Sequence, residues 1–283
     1  MAPRDDRALD QLEDLAEDVD YSVVGPRDNR IHEIETRRFP YNTVCHLGRD
    51  FGDGRWRGCS AFLAGPRMVA TAAHCIYNVR LRRGPRRIRV VPGRRDRDTF
   101  PFGQRFAVEA YVARPFAQSS GPAMRQRALH DYGVVVLDRP FPTIHQFMPM
   151  RALPDAELET LRHRGLVTIA GYPADRPVGT LWRHSERLKR MTARRLFYSV
   201  DTCPGHSGSP IWTPMARGGP TVIGIHTSGI LDERGRPYGC RPDTVLAPPG
   251  MMNGGVRLTE EIIANLRAPM RPVGGQPAML RLL

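Results

Sequence analysis

Short apolar runs separated by polar, Gly- and Pro-rich turns set the pattern of most of this chain. TVCHL (43–47), SAFLA (60–64), RIRVVP (87–92), RFAVEAYV (105–112), YGVVVL (132–137), LVTIAG (166–171), RRLFYSV (194–200) and TVIGIH (221–226) each read as a strand. Almost no helical stretches are expected between them. Strands at this spacing predict an all-β barrel or sandwich architecture. Helical spacing is confined to the ends. Leu9, Leu12, Leu15 and Ala16 fall on one face of an acidic segment, 8–18. TEEIIANLR (259–267) predicts a closing helix, with Thr259 as N-cap and two glutamates in the first turn. The stretch after Ala268 reads as a flexible tail.

Charge changes the picture at one place. The 283 residues carry +13 overall, nearly all from Arg, Lys189 being the one lysine. Residues 1–21 carry −6 and the rest +19, so the acidic segment reads as a detachable leader. A basic body attracts polyanions, membranes or acidic substrates. No apolar run is long enough for a membrane-spanning helix, and the start lacks the apolar block of a secretory signal. Five cysteines without a C-x-x-C pair speak against zinc, and two pairs with one left over suit an oxidising compartment.

CPGHSGSP (203–210) sets a serine among glycines, which allow a tight turn and close approach of a substrate. A serine nucleophile needs a base and donors for an oxyanion. His206 adjoins Ser207, but neighbouring side chains point apart, so the base is expected from elsewhere. The last position is Ser209, so G-x-S-x-G is not met. ATAAHC (70–75) offers His74, and a Cys59–Cys75 bridge would clamp the hairpin that carries it. HDYGVVVLDRP (130–140) offers Asp131 to orient the imidazole, with Asp138 as rival.

The order TAAHC, DYGVVVL, PGHSGSP resembles the chymotrypsin-like serine proteases, and most of all the bacterial glutamyl endopeptidases. SVVGPRDNR (22–30), YPADRPVGTLW (172–182), VIGIHTSG (222–229) and GVRLTEEIIANL (255–266) extend the resemblance over about Ser22 to Arg267. It implies two six-stranded antiparallel β-barrels, 22–145 and 146–258, with the site between them. It implies Ser207 as nucleophile, His74 as base, Asp131 as orienter, and the amides of Gly205 and Ser207 as oxyanion hole. Ser209 would be structural. His226 and Thr202 would face a pocket for a substrate Glu or Asp carboxylate. Removal of 1–21 would free an amine at Ser22 or Val23 to complete that pocket. A Cys203–Cys240 bridge would leave Cys45 free.

Asp201 stands against this, because an acid at its distance from Ser207 selects Arg or Lys in trypsin-like enzymes. Yet the glutamyl enzymes can carry the same DT pair. The expectation is therefore a secreted or periplasmic, monomeric serine endopeptidase acting on protein or peptide, without cofactor, metal or nucleic acid. The alternatives are an Arg/Lys-cutting enzyme and a silent polyanion-binding relative. Against the latter, aromatics do not interleave with the basic clusters along the sequence.

Overall fold

The computed structural model describes residues 24–25, 27–119, 127–215, 219–228, 240, 251–270 and 278–283. The acidic segment, Ser22 and Val23 lie outside them.

The strands are β1 (Ile31–Glu33), β2 (Val44–Asp50), β3 (Arg57–Leu63), β4 (Met68–Thr71), β5 (Arg87–Pro92), β6 (Arg105–Ala113) and β7 (Gly133–Leu137) in the first half. In the second half they are β8 (Val167–Gly171), β9 (Leu181–Glu186), β10 (Leu188–Met191), β11 (Arg195–Tyr198), β12 (Pro210–Met215), β13 (Gly219–Ser228), β14 (Asn253–Arg257) and β15 (Met279–Arg281). All eight runs read from sequence lie on strands.

The first sheet runs β6–β5–β2–β3–β4–β7, and β6 also pairs with β7, closing a six-stranded antiparallel barrel. β7 can be wholly apolar because every residue of it is buried. The second sheet runs β1–β9–β8–β12–β13–β14–β11–β10, eight strands among the described residues rather than the six expected. β9 and β10 are separated only by Arg187, so one bent segment supplies strands near both ends of the sheet. This is the chymotrypsin-like, all-β class that the resemblance implies.

The ends of the chain depart from the expected boundaries. β1 pairs with β9, so the segment around Ile31 belongs to the second sheet, not the first barrel. The tail read as flexible ends instead in β15, which pairs with β6 of the first barrel. Met279 is buried there, and apolar burial with ladder hydrogen bonds offsets the lost chain entropy. Three of the four α-helices among the described residues lie outside the expected ones. Of α1 (Ala73–Ile76), α2 (Arg114–Gln118), α3 (Asp155–Arg164) and α4 (Glu260–Arg267), α3 occupies DAELETLRHR between the barrels. Only Leu158 and Leu161 of it are buried, too few apolar positions to register as a stripe. α4 keeps its expected cap: Thr259 accepts from the Ile262 amide at 3.2 Å.

One correction concerns the surface. Trp56 lies under both Arg87 and Arg89, at 5.2 and 5.0 Å from the ring centre. Basic and aromatic groups that are apart in sequence therefore do interleave in space.

Candidate active site

α1 is a single turn that follows β4, with Ala73, Cys75 and Ile76 buried. The Cys59–Cys75 disulfide ties it to β3. His74 is thereby left at the surface of the cleft with its Nδ1 2.7 Å from Asp131 Oδ2. The His74 backbone amide donates to Asp131 Oδ1 at 3.0 Å. Both carboxylate oxygens are used, which fixes the ring and its carboxylate together. Asp131 enters β7, and the next residue, Tyr132, is held by Asn265 of α4 at 2.9 Å. Asp138, the rival, is at the opposite end of β7 beside Arg139, in solvent.

Ser207 follows a tight turn in which Gly205 and Gly208 have φ of +99° and +86°. A Cβ on Gly205 would meet the Tyr172 carbonyl at 2.5 Å, and one on Gly208 the Ser60 carbonyl at 2.1 Å. Both positions require glycine on two grounds. The turn is held from the opposite barrel. The Ser60 amide donates to the Ser207 carbonyl at 2.8 Å, and Ser60 Oγ donates to the Gly205 carbonyl at 2.7 Å. Ser60 Oγ in turn accepts from the Tyr172 amide. Cys75 Sγ is 3.4 Å from the Ser207 carbonyl, so the serine lies beside the residue after His74. Sequence reasoning missed Ser60; only its place next to Cys59 hinted at it.

His206 does not serve Ser207. Its Nδ1 accepts from the Cys203 amide at 3.0 Å, and burial, with the Arg30 charge adding, pushes its pKa down to about 3. Ser209 lies in the backbone of the same turn, its amide bonded to the His206 carbonyl.

His226 is fully buried on β13, and its Nδ1 is 2.8 Å from the hydroxyl of Tyr198. Burial holds the imidazole well below its ordinary pKa, with His206, His74 and Arg195 adding to the effect. The Gly254 carbonyl lies close enough to favour a proton on the ring. No described atom makes a hydrogen bond of ordinary geometry to His226 Nε2, nor to the buried Thr202 Oγ1. Tyr198, also missed from sequence, shares the inward face of β11 with Leu196.

Asp201 is 4% exposed and points elsewhere. Its carboxylate accepts from the Gly25 amide at 2.8 Å and the Asn29 amide at 2.9 Å. Val24 packs on Cys203 and Cys240, which are disulfide-bonded, leaving Cys45 as a buried free thiol. Arg30 is gripped by Asp28 and Asp175. Ligand atoms of Cys59, His74 and Cys75 lie within 4.8 Å of one another, but both sulfurs are spent in a disulfide and offer no thiolate.

A family model described as Trypsin matches residues 29–241, more than half of the chain. The chain belongs to the trypsin family. A glutamyl endopeptidase of Bacillus licheniformis is 28% identical over 249 residues, 87% of this chain and 68% of the relative. A Bacillus subtilis protein named extracellular metalloprotease is 27% identical over 212 residues, 74% of this chain and 63% of its own length. A glutamyl endopeptidase of Staphylococcus epidermidis is 24% identical over 209 residues. A solved Glu endopeptidase superposes with a TM-score of 0.66 at 24% identity, over 85% of this chain and 96% of that one, which supports the fold. This trypsin-family chain is a serine endopeptidase, related to the glutamyl endopeptidases, and its substrates are proteins or peptides.

Proposed function

We propose that Ser207, His74 and Asp131 form the catalytic triad, and that the enzyme cleaves after Glu or Asp. The observation that carries the triad is the two-point contact of Asp131 with the Nδ1 and amide of His74. That contact favours the tautomer with the proton on Nδ1 and an accepting Nε2, and would stabilise the imidazolium formed when Ser207 is deprotonated; Ser207 Oγ itself lies 3.4 Å from the Thr227 carbonyl. The amides of Gly205 and Ser207 receive the oxyanion; losing one such donor costs about 3 kcal/mol of transition-state stabilisation.

The Glu preference rests on two kinds of support. Thr202 Oγ1 is buried without a described partner, and His226 Nε2, with the Gly254 backbone near the ring, makes no hydrogen bond of ordinary geometry among the described residues; both gain from a ligand that pairs with them. Burial also keeps the Tyr198 phenol protonated, so its hydroxyl is able to donate to His226 Nδ1, the direction that places the imidazole proton on Nε2. A neutral imidazole then presents a donor to the substrate carboxylate. Asp201, the group an Arg-cutter would need, is instead engaged by Gly25 and Asn29. Docking of Val24 and Gly25 beside the Cys203–Cys240 bridge supports removal of 1–21 to leave an amine at Ser22 or Val23. Two disulfides suit a site of action outside the reducing cytosol.

Three measurements test this. Labelling by a fluorophosphonate disappears in Ser207→Ala, and peptides differing only before the scissile bond are cut in the order Glu, Asp, then Phe, Lys or Arg. Labelling that survives in Ser207→Ala, or preference for Arg, refutes the respective part. N-terminal sequencing of active enzyme gives Ser22 or Val23; a start at Met1 excludes the leader reading.

A further inference from the structure

The proposed catalysis uses the cleft between the two sheets but leaves a neighbouring cavity without a role. Its volume is about 360 Å³, within the range of ligand sites. His74 forms one wall. The other described walls all come from the first barrel: Arg49 and Arg57 from β2 and β3, Asp53 from the turn between them, and Arg83 beyond α1. The buried side chains of Phe51 and Tyr77 give it an apolar floor. No described residue next to Asp131, and none of the second sheet, lines it.

That placement gives the cavity a direction. In the triad chemistry His74 passes its proton to the leaving amine, so the leaving half of the substrate lies against the imidazole. The acyl half lies over the second sheet, with His226 and Thr202. A cavity that adjoins His74 and is built from the first barrel faces the residues that follow the scissile bond.

Its charge gives it a preference. Three guanidinium groups meet one carboxylate, and that carboxylate, Asp53, is paired with Arg57 at 2.6 Å. Arg83 donates to the Phe51 carbonyl at 2.9 Å, which orients it without neutralising it. It makes no ion pair among the described residues.

We propose that this cavity binds the first residues after the cleaved bond and selects acidic side chains there, with Arg83, Arg57 and Arg49 as its carboxylate-binding groups. The inference rests on the reading of His74 as catalytic base. The favoured substrate is then acidic on both sides of the cut.

Quenched peptides identical up to the scissile bond, and carrying Asp, Ala or Arg in the two following positions, test it. The Asp peptide is expected to exceed the Ala peptide in kcat/KM by about three- to tenfold, with Arg below both. The spread shrinks toward unity at about 1 M salt, where exposed charges are screened. Arg83→Glu reverses the order of the Asp and Arg peptides. The ratio is taken on the same folded molecules, so partial misfolding does not bias it; should Arg83→Glu yield no folded enzyme, Arg57→Glu gives the same reversal. Equal cleavage of the three peptides by the unaltered enzyme overturns the inference while leaving the triad intact. No cleavage of any peptide, together with no fluorophosphonate labelling, overturns the catalytic reading and the inference with it.

Discussion

Single side chains decide what the cleft can recognise. Tyr198 is the clearest case, because its hydroxyl is paired with Nδ1 of His226 and, on the proposed reading, donates to it so that Nε2 carries the proton. Tyr198→Phe frees the ring to adopt the other tautomer. We expect kcat/KM on Glu peptides to fall about two- to tenfold, the range of one neutral hydrogen bond, and Gln peptides to lose less. Equal losses on both would remove Tyr198 from the recognition of the carboxylate. Ser60 acts at the same scale through packing. Ser60→Ala leaves the Gly205 carbonyl and the Tyr172 amide buried without their partner, at a cost of about 1–3 kcal/mol in urea unfolding. The rate should drop as well, since the turn that shapes the nucleophile loses its brace; an unchanged kcat would assign Ser60 to stability alone. At this scale the sequence is legible where chemistry clusters in local words. TAAHC and PGHSGSP announce His74 and Ser207. Tyr198 and Ser60 stay hidden because their partners lie 28 and 145 positions away, and no local pattern marks a hydroxyl for a distant acceptor.

At the scale of elements, strands with dense β-branched content were readable and the others were not. RIRVVP and YGVVVL bury continuous apolar faces, whereas β1 and β10, at the edges of the second sheet, and β9, beside β1, carry mixed polar residues and give no strand signal. β15 was missed because its pairing with β6 supplies the order that MLR alone lacks. α4 was found from its cap, and the cap gives a measurable handle. Thr259→Ala removes the acceptor for the Ile262 amide and should cost about 1 kcal/mol, lowering Tm by roughly 2–4 °C. The same substitution should leave the order of preference among test peptides unaltered, as α4 supports Tyr132 rather than the proposed pocket. A Tm change under about half a degree would place the capping energy elsewhere.

For the molecule as a whole, buried histidines make stability depend on pH. His206 is held near 3 against an ordinary 6.5, and His226 is also held well below that value, both chiefly by burial. In both the folded pKa lies below the unfolded one, so the unfolded chain binds more protons between the two values. The stability is therefore fully present above about pH 6.5 and is lost as pH falls through the window below it, on the order of a few kcal/mol. Asp28 acts in the same sense at lower pH. Burial would raise it, but the hydrogen bond and charge of Arg30 hold it down to about 2, so its contribution is lost as acid protonates it. Thermal melts at fixed salt should show Tm falling steadily from about pH 6.5 to pH 4. A flat profile would mean that these imidazoles accept protons in the folded enzyme.

The brace at Ser60 also bears on when the enzyme becomes dangerous to its maker. Ser60 belongs to the first barrel and reaches 145 positions along the chain to set the turn before Ser207. During synthesis the first barrel can form while that turn is still unmade, since domains emerge and fold from the N-terminal side. His74 and Asp131, the proposed base and its orienter, can then be together before Ser207 is in place. On the proposed triad, hydrolytic power arises only when the second half closes onto the first, so a nascent chain is expected to be inactive.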